Sequence, residues 1–158
     1  MRLNARGRGM LVVLAAMGLV ACATMQPEPT LYERLRAVDG AGIPRQGRDA
    51  ISVMVDRFVA AMVADKRVNA RFKGLKPLEV EKFKSNLADQ LCEATGGPCS
   101  YYGKDMKKAH EGMKITEAEW TATVENLSKA LDQAKLGAPE KKDLLGALGP
   151  MKKDIVGQ

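Results

Sequence analysis

From residue 31 onward the apolar side chains recur at offsets of three and four, and this spacing most limits what the chain can fold into. Ile51, Val55, Phe58, Val59, Met62 and Val63 make one broad apolar face, because residues three and four apart stack on one side of a helix. Val80, Phe83, Leu87 and Leu91 repeat the pattern on a second helix starting near Pro77, since proline suits a first turn whose N–H has no partner. Trp120, Val124, Leu127 and Leu131 mark a third. Thr116 and Glu119 predict its start, as a hydroxyl and a carboxylate three apart cap each other's backbone N–H. A fourth begins at Pro139 and carries Leu144, Leu145 and Leu148. Shorter helices are expected over 30–37 and 104–111, with no strand-like alternation of useful length and no internal repeat. The expectation is an all-α domain over 31–158.

The first 21 residues do not belong to that domain. Arg2, Arg6 and Arg8 precede an uncharged, mostly apolar run from Met10 to Ala21. As a helix that run spans roughly 18 Å, against about 30 Å of bilayer hydrocarbon. It fits the basic and apolar regions of an export signal instead. Its end, Leu19-Val20-Ala21-Cys22, resembles a bacterial lipobox. The resemblance implies cleavage before Cys22 and lipid on that residue; the alternative is an ordinary signal cut with Cys22 incidental. Ala23 rather than aspartate follows, so the resemblance leans towards the outer membrane of a two-membrane bacterium, and the expected location is periplasm or outer membrane. Residues 22–30 then read as a tether.

Removing residues 1–21 takes away three arginines and no acids, so the net charge falls from +6 to +3. Lysines and arginines are interspersed with acids, and aromatic residues are only 4% of the chain. Stacking platforms for bases are therefore scarce, and nucleic-acid binding is not expected. After export Cys92 and Cys99 remain, and in an oxidising compartment such a pair closes a disulfide. The alternative is a buried Cys92 thiol beside an unpaired Cys99. Six intervening residues exclude a CxxC motif, and no CxxCH is present. Gly96 and Gly97 allow positive φ, and Pro98 stops the second helix, so a bridge here fastens the exit that leads to His110.

His110 is the only histidine. Multi-histidine zinc or copper sites and HExxH are thereby excluded, and no GxSxG elbow is present. One metal site needs a single histidine, namely an iron whose equatorial ligands come from a porphyrin. Phe72, Phe83, Leu87 and Met106 are candidate lining for such a slot. By composition and periodicity alone, His110 reads as structural and these apolar residues as core.

Several stretches are more specific. Leu31-Tyr32-Glu33-Arg34-Leu35, VDRFVAAMVAD at 55–65, ATGGP at 94–98, YGKDMKKAH at 102–110, GMKITEAEW at 112–120 and the run from Leu148 to Val156 together resemble group I truncated haemoglobins, in order over roughly residues 30–156. The resemblance implies a two-over-two helical sandwich around one haem b and its iron. It makes His110 the proximal iron ligand and places Phe72 against the porphyrin. Phe83, Asn86, Leu87 and Gln90 fall on the distal helix, with Val59 facing the distal side. Met106 and Lys107 fall at the haem edge, Lys107 within reach of a propionate. Two departures stand out. Many members carry tyrosine, a hydrogen-bond donor, where this chain has Val59. The early glycine pair is replaced by Arg36-Ala37-Val38-Asp39-Gly40 and a longer loop through Pro44.

With Val59, Phe83 and Leu87 apolar, the remaining donor candidates toward a bound gas are Asn86, Gln90 or an ordered water. No second histidine exists to close the iron, so a five-coordinate site is expected. The resemblance implies binding of dioxygen, nitric oxide or carbon monoxide, including oxidation of nitric oxide to nitrate. The alternative is a redox or gas-sensing partner protein at the envelope. No flavin or nicotinamide motif is present, so turnover calls for an unidentified electron donor. A third class, a helical lipoprotein binding module without haem, would show no Soret absorbance.

Overall fold

A computed structural model describes residues 27–37 and 48–158. The export signal, Cys22, most of the tether and the loop of 38–47 lie outside the described residues. The chain order is α1 (Leu31–Ala37), α2 (Arg48–Ala64), a 3-10 turn (Asn69–Arg71), α3 (Pro77–Ala94), α4 (Met106–His110), α5 (Glu117–Gln133), α6 (Ala138–Leu148) and a 3-10 segment (Gly149–Asp154). Among the described residues the extended pairing is one isolated parallel bridge between Ile115 and Val156. No described helix is long and apolar enough to cross a membrane.

Helix α2 is the centre. It packs against α3 on one side and α5 on another, while α6 meets α5 and α1. Ile51, Met54, Val55, Phe58, Val59 and Met62 of α2 are all buried. Leu91 and Cys92 from α3, Leu127 and Leu131 from α5, and Leu144 from α6 close the core around them. Burying each such side chain stabilises the fold by about 1.5–3 kcal/mol. Val63, expected on the same face, is 48% exposed. At roughly 100° per residue, it sits well over a quarter-turn from the line through Ile51 and Met62.

The helix starts follow their local chemistry. Thr116 Oγ1 accepts from the Glu119 N–H at 3.2 Å, and the Thr116 N–H donates to the Glu119 carboxylate at 2.9 Å. Pro77 occupies the first turn of α3, as expected. Helix α6 starts one residue before Pro139, and α4 is shorter than 104–111 because Asp105 caps it and Glu111 leaves helical geometry.

At the end of α3 the two glycines serve different needs. Gly96 has φ +82°, a backbone conformation that suits glycine. Gly97 is not in that region and is needed for space, since a Cβ there would lie 2.6 Å from the Tyr32 ring and 2.7 Å from the Cys92 sulfur. The expected bridge is present: Cys92 and Cys99 are joined, with Cα atoms 5.7 Å apart.

Candidate functional site

His110 is the last residue of α4, a helix of five residues. A helix this short has almost no stability of its own, so neighbouring structure sets its position. The disulfide at Cys99 fastens the segment before it. After it, Arg71 donates to the Met113 carbonyl at 2.8 Å, and the Gly157 N–H donates to the Ile115 carbonyl at 2.9 Å. The Lys114 N–H also donates to the Gln158 carbonyl. Arg71 is itself held by Glu119 through two hydrogen bonds of 2.7 and 3.0 Å. That guanidinium, joined by the Thr116 N–H, lowers the Glu119 carboxyl from its ordinary 4.5 to about 2.

The His110 ring is half-buried, and its Nδ1 lies 2.8 Å from the Met106 carbonyl oxygen. A carbonyl only accepts, so Nδ1 carries a proton, and in the neutral ring the lone pair is therefore on Nε2. This is the arrangement in which a neutral imidazole offers one nitrogen to a metal while the other fixes the ring.

Across from α4, one flank of α3 is apolar but uncovered. Phe83 is 38% exposed, Leu87 is half-buried, and the Phe72 and Phe83 rings meet edge-to-face with centroids 5.9 Å apart. Nearby in sequence, Leu75 and Leu78 are also exposed. Phe72 and Leu87 also pack against the core, so this flank runs from the core out to the exposed Phe83. Val59 is fully buried on α2 and brings no polar atom.

The polar candidates are placed differently from one another. Asn86 is exposed. Gln90, two turns beyond Phe83 on the same flank, directs its Nε2 to the Met106 sulfur at 3.3 Å and the Met151 sulfur at 3.9 Å. Lys107 is exposed and lines a pocket of about 410 Å³ with Asp105, Lys108, Glu111 and Gln158. Those walls are charged or polar and unlike a porphyrin slot. Met106 therefore links two functions, as its carbonyl holds His110 and its sulfur meets Gln90. The Gln90 contact could not be read from sequence, because helical spacing gives the flank of a residue and not its partner. No cluster of three or more metal-ligating side chains occurs among the described residues.

Residues 46–156 match the family model of the bacterial-like globins. The chain belongs to that family. A group 1 truncated haemoglobin of Tetrahymena thermophila is 31% identical over 109 residues, covering 69% of this chain and 79% of that protein. That of Mycolicibacterium paratuberculosis is 28% identical over 127 residues, covering 79% and 91%. The crystal structure of the truncated haemoglobin from Tetrahymena pyriformis in its Fe(III) form, Q46E mutant, superposes with a TM-score of 0.71 at 27% identity, covering 82% of this globin and all of that one. The 2/2 haemoglobin of Synechococcus sp. PCC 7002, cyanomet with covalently attached haem, gives 0.68 at 25% identity over 81% and 98%. The all-α architecture is thus the 2/2 globin fold. Its cofactor is haem with iron, and the residues of this globin fit that group. One imidazole nitrogen keeps its lone pair, and an uncovered apolar flank matches the porphyrin's apolar faces.

Proposed function

We propose that this globin binds small diatomic gases at a five-coordinate haem held by His110 Nε2. The carrying observation is the His110 hydrogen bond to the Met106 carbonyl, which fixes the tautomer with its lone pair on Nε2. When bound, haem would supply an iron able to take up a diatomic gas, and His110 Nε2 would hold that iron. Phe72, Phe83 and Leu87 would exclude water from its faces, and Met106 and Lys107 would border its edge. The buried Val59 offers a gas no hydrogen bond. Gln90 directs its amide to two thioethers, and Asn86 is exposed to solvent. Dioxygen, which gains most from a donor, is then held less tightly than in a pocket with tyrosine at position 59, while carbon monoxide and nitric oxide lose little.

Oxidation of nitric oxide to nitrate is the turnover we assign to such a site. It combines nitric oxide, dioxygen and one electron, and an outside donor supplies the electron. The disulfide at Cys92 suits an oxidising compartment, which supports an exported globin; its anchor would be the lipid that the lipobox-like Leu19-Val20-Ala21-Cys22 calls for.

The test is the absorption spectrum of the ferrous protein, alone and with each gas. A five-coordinate high-spin spectrum that converts on adding dioxygen, carbon monoxide or nitric oxide supports the reading. A six-coordinate low-spin ferrous spectrum without added ligand overturns it. Stopped-flow mixing of the oxygenated protein with nitric oxide tests the turnover. Fatty-acid labelling that survives in Cys22→Ala would refute the anchor.

A further inference from the structure

We infer that Gln90 is a positioning residue for the proximal histidine, acting from α3 through Met106, rather than a donor to the bound gas. The inference rests on the haem reading above. Two contacts share one residue: the Gln90 amide reaches the Met106 sulfur at 3.3 Å, and the Met106 carbonyl receives His110 Nδ1 at 2.8 Å. Met106 and His110 are the first and last residues of α4. A side chain gripping the first therefore sets the tilt of the whole five-residue helix.

The same Nε2 lies 3.9 Å from the Met151 sulfur in the 3-10 segment that packs against α4. One carboxamide thus joins α3, α4 and the segment that backs α4. Thioethers are weak acceptors, yet in a half-buried site the alternative is an amide N–H with no partner, which costs more than the bond contributes. Met is flexible and fills gaps without fixing a position; a donor on its sulfur supplies the fixing. The disulfide two residues further along α3 anchors the approach to α4 at Cys99. The covalent tie limits where the helix can go, and Gln90 sets how it is turned.

The test uses the intact holoprotein with Gln90→Leu, Met106→Leu, the double variant and Met151→Leu. The readouts are the iron–histidine stretching band of the ferrous form, by resonance Raman, and the rate of haem loss to excess apomyoglobin. Met106→Leu keeps the backbone carbonyl that holds His110 while removing the sulfur. Gln90→Leu and Met106→Leu are expected to shift the band in the same direction and to speed haem loss about two- to fivefold, the range of one modest hydrogen bond. The double variant should add little to either, and Met151→Leu should act more weakly, as its contact is longer. An unmoved band in Gln90→Leu with the far-ultraviolet circular dichroism of the parent overturns the inference. So do fully additive effects, or a dioxygen dissociation rate that rises in Gln90→Leu while the band stays fixed. Parent protein without a Soret band overturns the haem reading itself, so the two failures are distinguishable.

Discussion

Helices α4 and α5 differ in what holds them. Helix α5 has 17 residues, a reciprocal cap at Thr116 and Glu119, and a buried stripe of Ala122, Asn126, Leu127, Ala130 and Leu131. Helix α4 has five residues and none of them is buried. The first carries stability, and the second carries the histidine that we propose holds the haem. The short helix is held by a disulfide before it and hydrogen bonds after it, so covalent and tertiary ties can aim a residue on an element least able to stand alone.

The strongest way to break this contrast is to exchange the effects of two substitutions. His110→Ala should abolish the five-coordinate histidine-ligated spectrum, and the apoprotein should lose no more than about 1 kcal/mol of unfolding free energy, as for one hydrogen bond. Leu131→Ala, at a fully buried position, should lower unfolding free energy by about 2–5 kcal/mol and leave the histidine-ligated spectrum intact. Denaturant titration and ferrous spectra of both variants check the pair. Equal stability losses, or loss of histidine ligation in Leu131→Ala, would sink the contrast.

Removing the bridge tests how far α4 depends on its ties. Cys92→Ala with Cys99→Ala should cost about 2.5 kcal/mol by the chain-entropy relation for so short a loop, and haem loss should accelerate because the segment before α4 is released. A stability loss with unchanged haem loss would mean that the bridge serves the fold alone.

The smallest effect concerns Glu119, which links the two helices' supports by capping α5 and holding Arg71. Its carboxyl is lowered to about 2 by Arg71 first and the Thr116 N–H second. A group depressed by folding contributes stability that is present above its ordinary value of 4.5 and fades as pH falls towards 2. Asp65, lowered mainly by Arg67, adds a loss of the same sign. Glu119→Gln should therefore flatten the acid limb of the stability profile between about pH 4.5 and 2, read by urea titration at stepped pH. An unchanged limb would place the acid sensitivity elsewhere.

Much of this was legible beforehand, for identifiable reasons. Core positions of α2, from Ile51 to Met62, follow from the three-and-four spacing, since burial on a helix is a matter of angle. Val63 and Phe83 mark the limit of that rule. Both sit at the edge of an apolar face, and the angle alone does not say whether an edge residue meets core, solvent or a prosthetic group. Gly96 was readable as a turn residue, but Gly97 was not readable as a close-approach residue, because the Tyr32 ring comes from far along the chain.

By itself the sequence determined the helical class, the cap at Thr116, the candidacy of the single histidine and the apolar character of position 59, all properties of residue type and local spacing. Only the tertiary structure decided that the Gln90 amide turns to Met106 and Met151, and that Arg71 joins Glu119 to the Met113 carbonyl. Those depend on which groups lie within about 3–4 Å of one another, and such distances are fixed by how helices pack.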